Sequence, residues 1–165
     1  MILACDPGPE RSALVLYDST LERPVGHWLL PNSEVRDVLD EYHHTPLVIE
    51  YTPPYALHMK TGRAYVPNQV VLTAIEIGRF IERNEPKKSI LISRIDIKKH
   101  LLGRSNGTDA DVTQSILARY GGTRKNAVGT KATPGPLYGI KKDIWAALAV
   151  AITYSETTEN RGLGA

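Results

Sequence analysis

ILACDPGPERSALVLYD, Ile2 to Asp18, is the stretch whose reading decides the fold. ILACD is an apolar run of strand length that closes on a carboxylate, Asp6, and Pro7-Gly8-Pro9 stops it. SALVLYD, Ser12 to Asp18, is a second such run, so the pair reads as a hairpin joined by a tight turn, with an acid where the first strand ends. A third short strand is expected around Val25 to Leu30. A helix should follow from about Ser33, capped by the Ser33 hydroxyl with Glu34 in its first turn and ended by Thr45-Pro46. LVIEY, Leu47 to Tyr51, is a continuous apolar run with one carboxylate, which fits a buried parallel strand delivering Glu50 at its C-terminal end.

Further along, Asn68 to Glu82 carries a broad apolar stripe at helical spacing, and ILIS, Ile90 to Ser93, reads as another core strand. A short helix over Asp96 to Leu102 leads into the polar loop Gly103 to Gly107. Thr108 or Asp109 can cap the next helix, which runs through Tyr120 and is closed by Gly121-Gly122. The segment Gly121 to Gly139 is a long loop, of the kind that in a compact domain is commonly functional or disordered. Asp143 to Tyr154 is strongly helical, and its alanines at 146, 147, 149 and 151 permit close packing on a sheet. After Ser155 a frayed polar tail is expected, so residues 1–155 form the domain and residues 156–165 the tail. A hairpin, a third strand and then alternating helices and strands describe an α/β fold with a mixed sheet and helices on its faces.

The 165 residues, 42% hydrophobic, suffice for one domain with its own core. No stretch approaches the roughly 20 apolar residues of a membrane span, and the N-terminus lacks a signal peptide, so a cytoplasmic protein is expected. A lone cysteine, Cys5, excludes an internal disulfide and a cysteine-rich zinc site. Net charge is only +2, but it is segregated. Residues 1–85 balance at −5, residues 86–142 at +9 and residues 143–165 at −2. A basic block of that size either lies against a phosphate backbone or forms a solvated face.

Asp6 and Glu50 end otherwise apolar strands, where an unpaired carboxylate is costly. Adjacent strands ending in acids, with Asp143 opening a helix packed over them, would gather oxygens around one small volume. Such a set suits Mg²⁺ or Mn²⁺. Two ions about 3.5–4 Å apart can activate a water and stabilise the leaving oxygen of a phosphodiester. Each acid also has a plain structural reading: Asp6 as a cap of the Pro7-Gly8 turn, Glu50 paired with a buried arginine, Asp143 stabilised by a helix dipole.

Four blocks carry a resemblance to a known family: ILACDPG (Ile2 to Gly8), VIEY (Val48 to Tyr51), GTDADVTQSILARYGG (Gly107 to Gly122) and PGPLYGIKKDIWAALAVAITY (Pro134 to Tyr154). Together they resemble the RuvC-type Holliday junction resolvases, especially the compact forms of bacteriophages and prophages. The resemblance implies a ribonuclease H-like fold with a five-stranded mixed sheet, a homodimer, and Mg²⁺-dependent incision of paired strands at a four-way DNA junction. It sets Asp6, Glu50 and Asp143 on the family's first, second and C-terminal acidic positions. The sequence departs from the family pattern at Ala146, where cellular members usually carry a further acid three residues after the one matched by Asp143. Asp109 is the candidate for the missing ligand, and it reads equally well as a helix cap.

DNA contact is expected from Tyr55 and Tyr65, whose rings can stack on unpaired bases, with Lys60 and Arg63 beside them. In the basic block, Lys98, Lys99, Arg104, Arg124, Lys125, Lys131, Lys141 and Lys142 are expected at phosphates. The helix from Asn68 to Glu82 is the expected dimer contact, because Val70, Val71, Leu72, Ile75, Ile77, Phe80 and Ile81 exceed one core-facing stripe; the competing reading is a helix buried within one subunit. The rival functions are a nuclease of the same fold acting on flaps, other branched DNA or RNA, and a non-catalytic DNA-binding module. An actin-like ATPase would need a second domain for which 165 residues leave no room.

Overall fold

A computed structural model of the chain describes residues 1–52, 67–84 and 89–162. Five strands, β1 (Ile2–Asp6), β2 (Arg11–Asp18), β3 (Arg23–Pro31), β4 (Leu47–Tyr51) and β5 (Ser89–Ser93), form one sheet in the order β3-β2-β1-β4-β5. The hairpin strands pair antiparallel and β4 and β5 join β1 in parallel, so the sheet is mixed, as expected.

The alternation along β1 and β4 sorts their side chains onto two faces. Ile2, Ala4 and Val48 enter one core; Leu3, Cys5, Leu47 and Ile49 enter the other. Helices cover both faces. On the second face α1 (Asn32–Glu41) contributes Val35, Val38 and Leu39, and α2 (Asn68–Arg83) contributes Phe80. On the first lie α3 (Arg94–Leu102), α4 (Asp109–Arg119), the short α5 (Arg124–Ala127) and α6 (Ile144–Gly162). Ala147 to Ile152 of α6 are each at most 1% exposed, and the small side chains let the helix settle across β1 and β2. A buried Leu148→Ala would cost about 2–5 kcal/mol by transfer and cavity terms.

Several boundaries differ from the sequence reading. Ser33 does not cap α1: the N-cap is Pro31, without a side-chain cap bond. Asn32, the first helical residue, instead accepts from the Ser12 hydroxyl at 2.8 Å and donates to the Gly8 carbonyl at 3.0 Å. That polar ring braces the turn that follows Asp6, and Gly8 is needed in it, since a Cβ there would lie 2.4 Å from the Arg11 carbonyl oxygen. The helix stops at Glu41, short of Thr45-Pro46, because Tyr42 leaves helical geometry and the His43 ring bonds the Asp40 carbonyl. α3 starts at Arg94, two residues early, since Ser93 accepts from the Asp96 amide at 3.1 Å as N-cap. The Gly121 to Gly139 segment contains α5 and a bridge between Gly129 and Pro134. Nor is the chain frayed after Ser155. α6 continues to Gly162, tied down where Glu156 meets His100 at 2.5 Å and Arg119 at 3.2 Å. Among the described residues, no helix is long and apolar enough to cross a membrane.

Candidate active site

The register of the parallel strands brings the first two acids together. Cys5 pairs with Ile49, so Asp6 and Glu50, one step further on, end adjacent strands and share the face on which α6 packs. Glu50 is buried at 5% exposure and Asp6 is half-buried. Both border a cavity of about 330 Å³ whose walls come from α3, α4 and the start of α6. Asp143 immediately precedes α6, and its carbonyl accepts from the Ala146 and Ala147 amides. Its side chain, that of Asp109 and the Ala146 methyl all line the same cavity. The structure therefore gathers the four predicted acids, Asp6, Glu50, Asp109 and Asp143, around one cleft.

The electrostatics agree with this crowding. Burial pushes the Asp6 carboxyl up to about 8, and the charges of Glu50, Asp143 and Asp109 push the same way, against the pull of Arg94. Burial also raises Glu50, opposed by its ion pair with Arg94. The thiol of Cys5 beneath them is raised by burial and then by Asp6 and Glu50.

Arg94 is the residue that sequence reasoning missed. Its guanidinium donates from Nη1 to Glu50 Oε1 at 2.6 Å and from Nη2 to Asp109 Oδ1, joining a strand-end acid to a helix-start acid. The plain reading of Glu50, a pairing with an arginine, is thus met within the acid cluster itself, although Arg94 is only partly buried. Two features point to Arg94: the Ser93…Asp96 capping spacing, and the β4–β5 register that pairs Tyr51 with Ser93. Asp109 is not a cap, because Thr108 holds that position in a reciprocal box with Asp111.

Of the predicted DNA contacts, Lys98 and Lys142 line the cavity itself. Lys98 donates to the Gly107 carbonyl at 2.7 Å, and Lys142 holds a left-handed φ of 50° beside Asp143. Arg124 lies 5.5 Å from the ring centroid of Trp145, another wall residue. Arg104 pairs with Asp111 at 3.7 Å. Lys99, Lys125, Lys131 and Lys141 do not line the cleft and are all exposed. Tyr55, Lys60, Arg63 and Tyr65 lie outside the described residues.

A second cleft of about 540 Å³ opens on the other side of the acids. It shares Asp6, Glu50 and Arg94 with the first, and continues past Pro7-Gly8-Pro9 and Thr52 to Gln69 and Thr73 of α2. Among the described residues, no three acidic, histidine or cysteine side chains are already drawn to metal-coordinating distance; Arg94 engages Glu50 and Asp109 instead. The donor set nonetheless fits a hard divalent cation. It consists of carboxylate oxygens, two of them on raised, mutually repelling groups whose charge a cation would neutralise.

Five strands in this order with helices on both faces define the ribonuclease H-like fold. Solved structures of RuvC from Thermus thermophilus share it. The RuvC structure matches with a TM-score of 0.60 at 13% identity, covering 96% of this chain and 95% of that one. T. thermophilus RuvC in complex with a Holliday junction substrate matches with a TM-score of 0.58 at 12% identity, covering 95% of this chain and 93% of that one. No protein-family model matches the sequence, and no curated protein matches it.

Proposed function

We propose that this chain is a divalent-metal-dependent endodeoxyribonuclease that resolves four-way DNA junctions as a homodimer. The observation that carries the reading is the convergence of Asp6, Glu50, Asp109 and Asp143 on one cleft that Lys98 and Lys142 also line. A site made only to bind DNA would have no use for acids that repel phosphate. The fold is shared with a RuvC whose structure holds a Holliday junction substrate, which favours branched DNA over other polymers.

Mg²⁺ or Mn²⁺, as two ions, would supply Lewis acidity and a nucleophilic water at neutral pH. Asp6 and Glu50 would hold the cations from the sheet, and Asp143 and Asp109 from the two helix starts. The Asp6–Pro7 strand end is kept in place by the Ser12–Asn32–Gly8 ring, so the carboxylate is aimed before substrate arrives. Lys98 and Lys142 would orient the phosphate. In the reaction a water oxygen bonds to phosphorus, one phosphorus–oxygen ester bond breaks, and the leaving alkoxide takes up a proton. Ala146 offers no oxygen on the cavity wall, so Asp109 supplies the fourth carboxylate.

Paired incision calls for two copies related by a two-fold axis. α2 supports that arrangement: Val71, Leu72 and Ile75 are 47%, 50% and 47% exposed, which excludes a helix buried within one subunit.

The test is a panel of synthetic four-way junction, linear duplex, flap and RNA–DNA hybrid, each with Mg²⁺, with Mn²⁺ and with chelator. Symmetric cutting of the junction alone, lost in Asp6→Asn, Glu50→Gln and Asp143→Asn while junction binding survives, is the expected result. Preferential cutting of flaps or hybrids would assign another nuclease activity to the fold, and full activity of Asp6→Asn would remove the reading.

A further inference from the structure

Arg94 stands where the two clefts meet, and stability alone does not explain its placement. It opens α3, and a cation in the first turn of a helix faces the wrong end of the dipole. One arm of its fork reaches the buried Glu50, but the other reaches Asp109, whose side chain is 78% exposed. An ion pair to so exposed a partner adds little stability. The guanidinium side chain itself is about one-third exposed and borders both clefts.

A guanidinium fork fits two oxygens of a phosphate as well as it fits carboxylates. A DNA strand crossing the acid cluster from one cleft to the other must pass this group. We propose that Arg94 exchanges partners: without substrate it holds Glu50 and Asp109, and on binding it moves its fork to a phosphate of the DNA strand, releasing both carboxylates for the divalent cation. The inference rests on the reading of Glu50 and Asp109 as cation ligands. Its consequence is thermodynamic. Arginine and cation compete for the same oxygens, DNA removes the competitor, and each of DNA and cation must then tighten the binding of the other by the same factor.

The test reads bound Mn²⁺ by electron paramagnetic resonance rather than cutting, with and without a four-way junction, in samples frozen within seconds of mixing. In the wild-type protein the junction should tighten Mn²⁺ binding by roughly ten-fold, the ordinary scale of such couplings. Arg94→Gln should bind Mn²⁺ about as tightly without DNA as the wild type does with it, and the junction should add little further. Arg94→Lys keeps a cation beside Glu50 if the glutamine variant fails to fold, and it should fall between the two. Circular dichroism of each variant checks the fold. An Arg94 variant that is folded but binds Mn²⁺ no tighter than wild type without DNA, or that keeps the full junction effect, overturns the proposal. Glu50→Gln separates the two levels: if it binds Mn²⁺ as the wild type does, the assignment of Glu50 as a ligand fails, whatever Arg94 does.

Discussion

The Thr108 hydroxyl accepts from the Asp111 amide at 3.1 Å while the Asp111 carboxylate accepts from the Thr108 amide at 2.7 Å, and this reciprocal pair leaves Asp109 without capping work. On the proposed function, the two neighbouring aspartates would divide stability and chemistry between them. Asp111→Ala should lower stability by about 1 kcal/mol, the ordinary value of a cap, and cut junctions normally at a temperature where it is folded. Asp109→Asn should do the reverse, with an unfolding midpoint near wild type, a rate lower by orders of magnitude and a higher metal requirement. Metal-dependence curves and thermal melts on the two proteins distinguish them, and a catalytic loss confined to Asp111→Ala would exchange their roles.

The raised carboxyl of Asp6 sets a pH dependence. Folding lifts it from 3.8 to about 8, so the folded protein holds this proton more tightly than the unfolded chain does. The stability it contributes is full below about pH 4 and declines as pH rises through about 8. In chelator, Asp6→Asn should accordingly melt higher than wild type at pH 8, and the gap should narrow toward pH 4. Glu50, raised in the same direction, leaves part of the slope in the variant. A gap that widens on acidification would contradict the burial of this charge.

Val71, Leu72 and Ile75 present a half-exposed apolar strip on α2, while Phe80 and Glu76 of the same helix face inward. Replacing Val71 and Ile75 together by Asp should convert a dimer to a monomer in light scattering at micromolar concentration. The fold should survive, since neither residue belongs to a core. A wild-type protein that scatters as a monomer, with and without junction, would sink the dimer.

Arg104, Arg124 and Lys131 are exposed cations of the +9 segment. Reversing all three to Glu should weaken junction binding and flatten the logarithmic dependence of affinity on salt by roughly one for each phosphate that is no longer neutralised. The same slope in variant and wild type would place the DNA on another surface.

Much of this site is legible in the chain because it depends on period and punctuation. Apolar runs that end on acids before Pro or Gly identify β1 and β4, and the two-residue period then puts Asp6 and Glu50 on the side where the alanine-rich α6 can approach. Arg94 is hidden in the sequence because its importance comes from the register of β4 against β5 and from a cap that starts α3 two residues early. Asp109 is ambiguous there for a related reason. Thr108, Asp109 and Asp111 are all good residues for a helix start, and only the backbone decides which of them caps. The full extent of α6 is equally hidden, because Glu156 and Thr157 read as polar tail residues. Their partners, His100 and Arg119 for one and the Thr153 carbonyl for the other, become visible only when the chain is folded.

The acids reach the cleft from four separate segments, at residues 6, 50, 109 and 143, and the helix that walls it occupies residues 144–162. Synthesis from the N-terminus thus delivers Asp143 and its 19-residue helix after every strand of the sheet. A nascent chain that has not yet reached them lacks both Asp143 and the helix that packs across β1 and β2. If the proposed function holds, the order of translation would act as a safeguard, since a product terminated before residue 143 would lack one of the four carboxylates assigned to cutting.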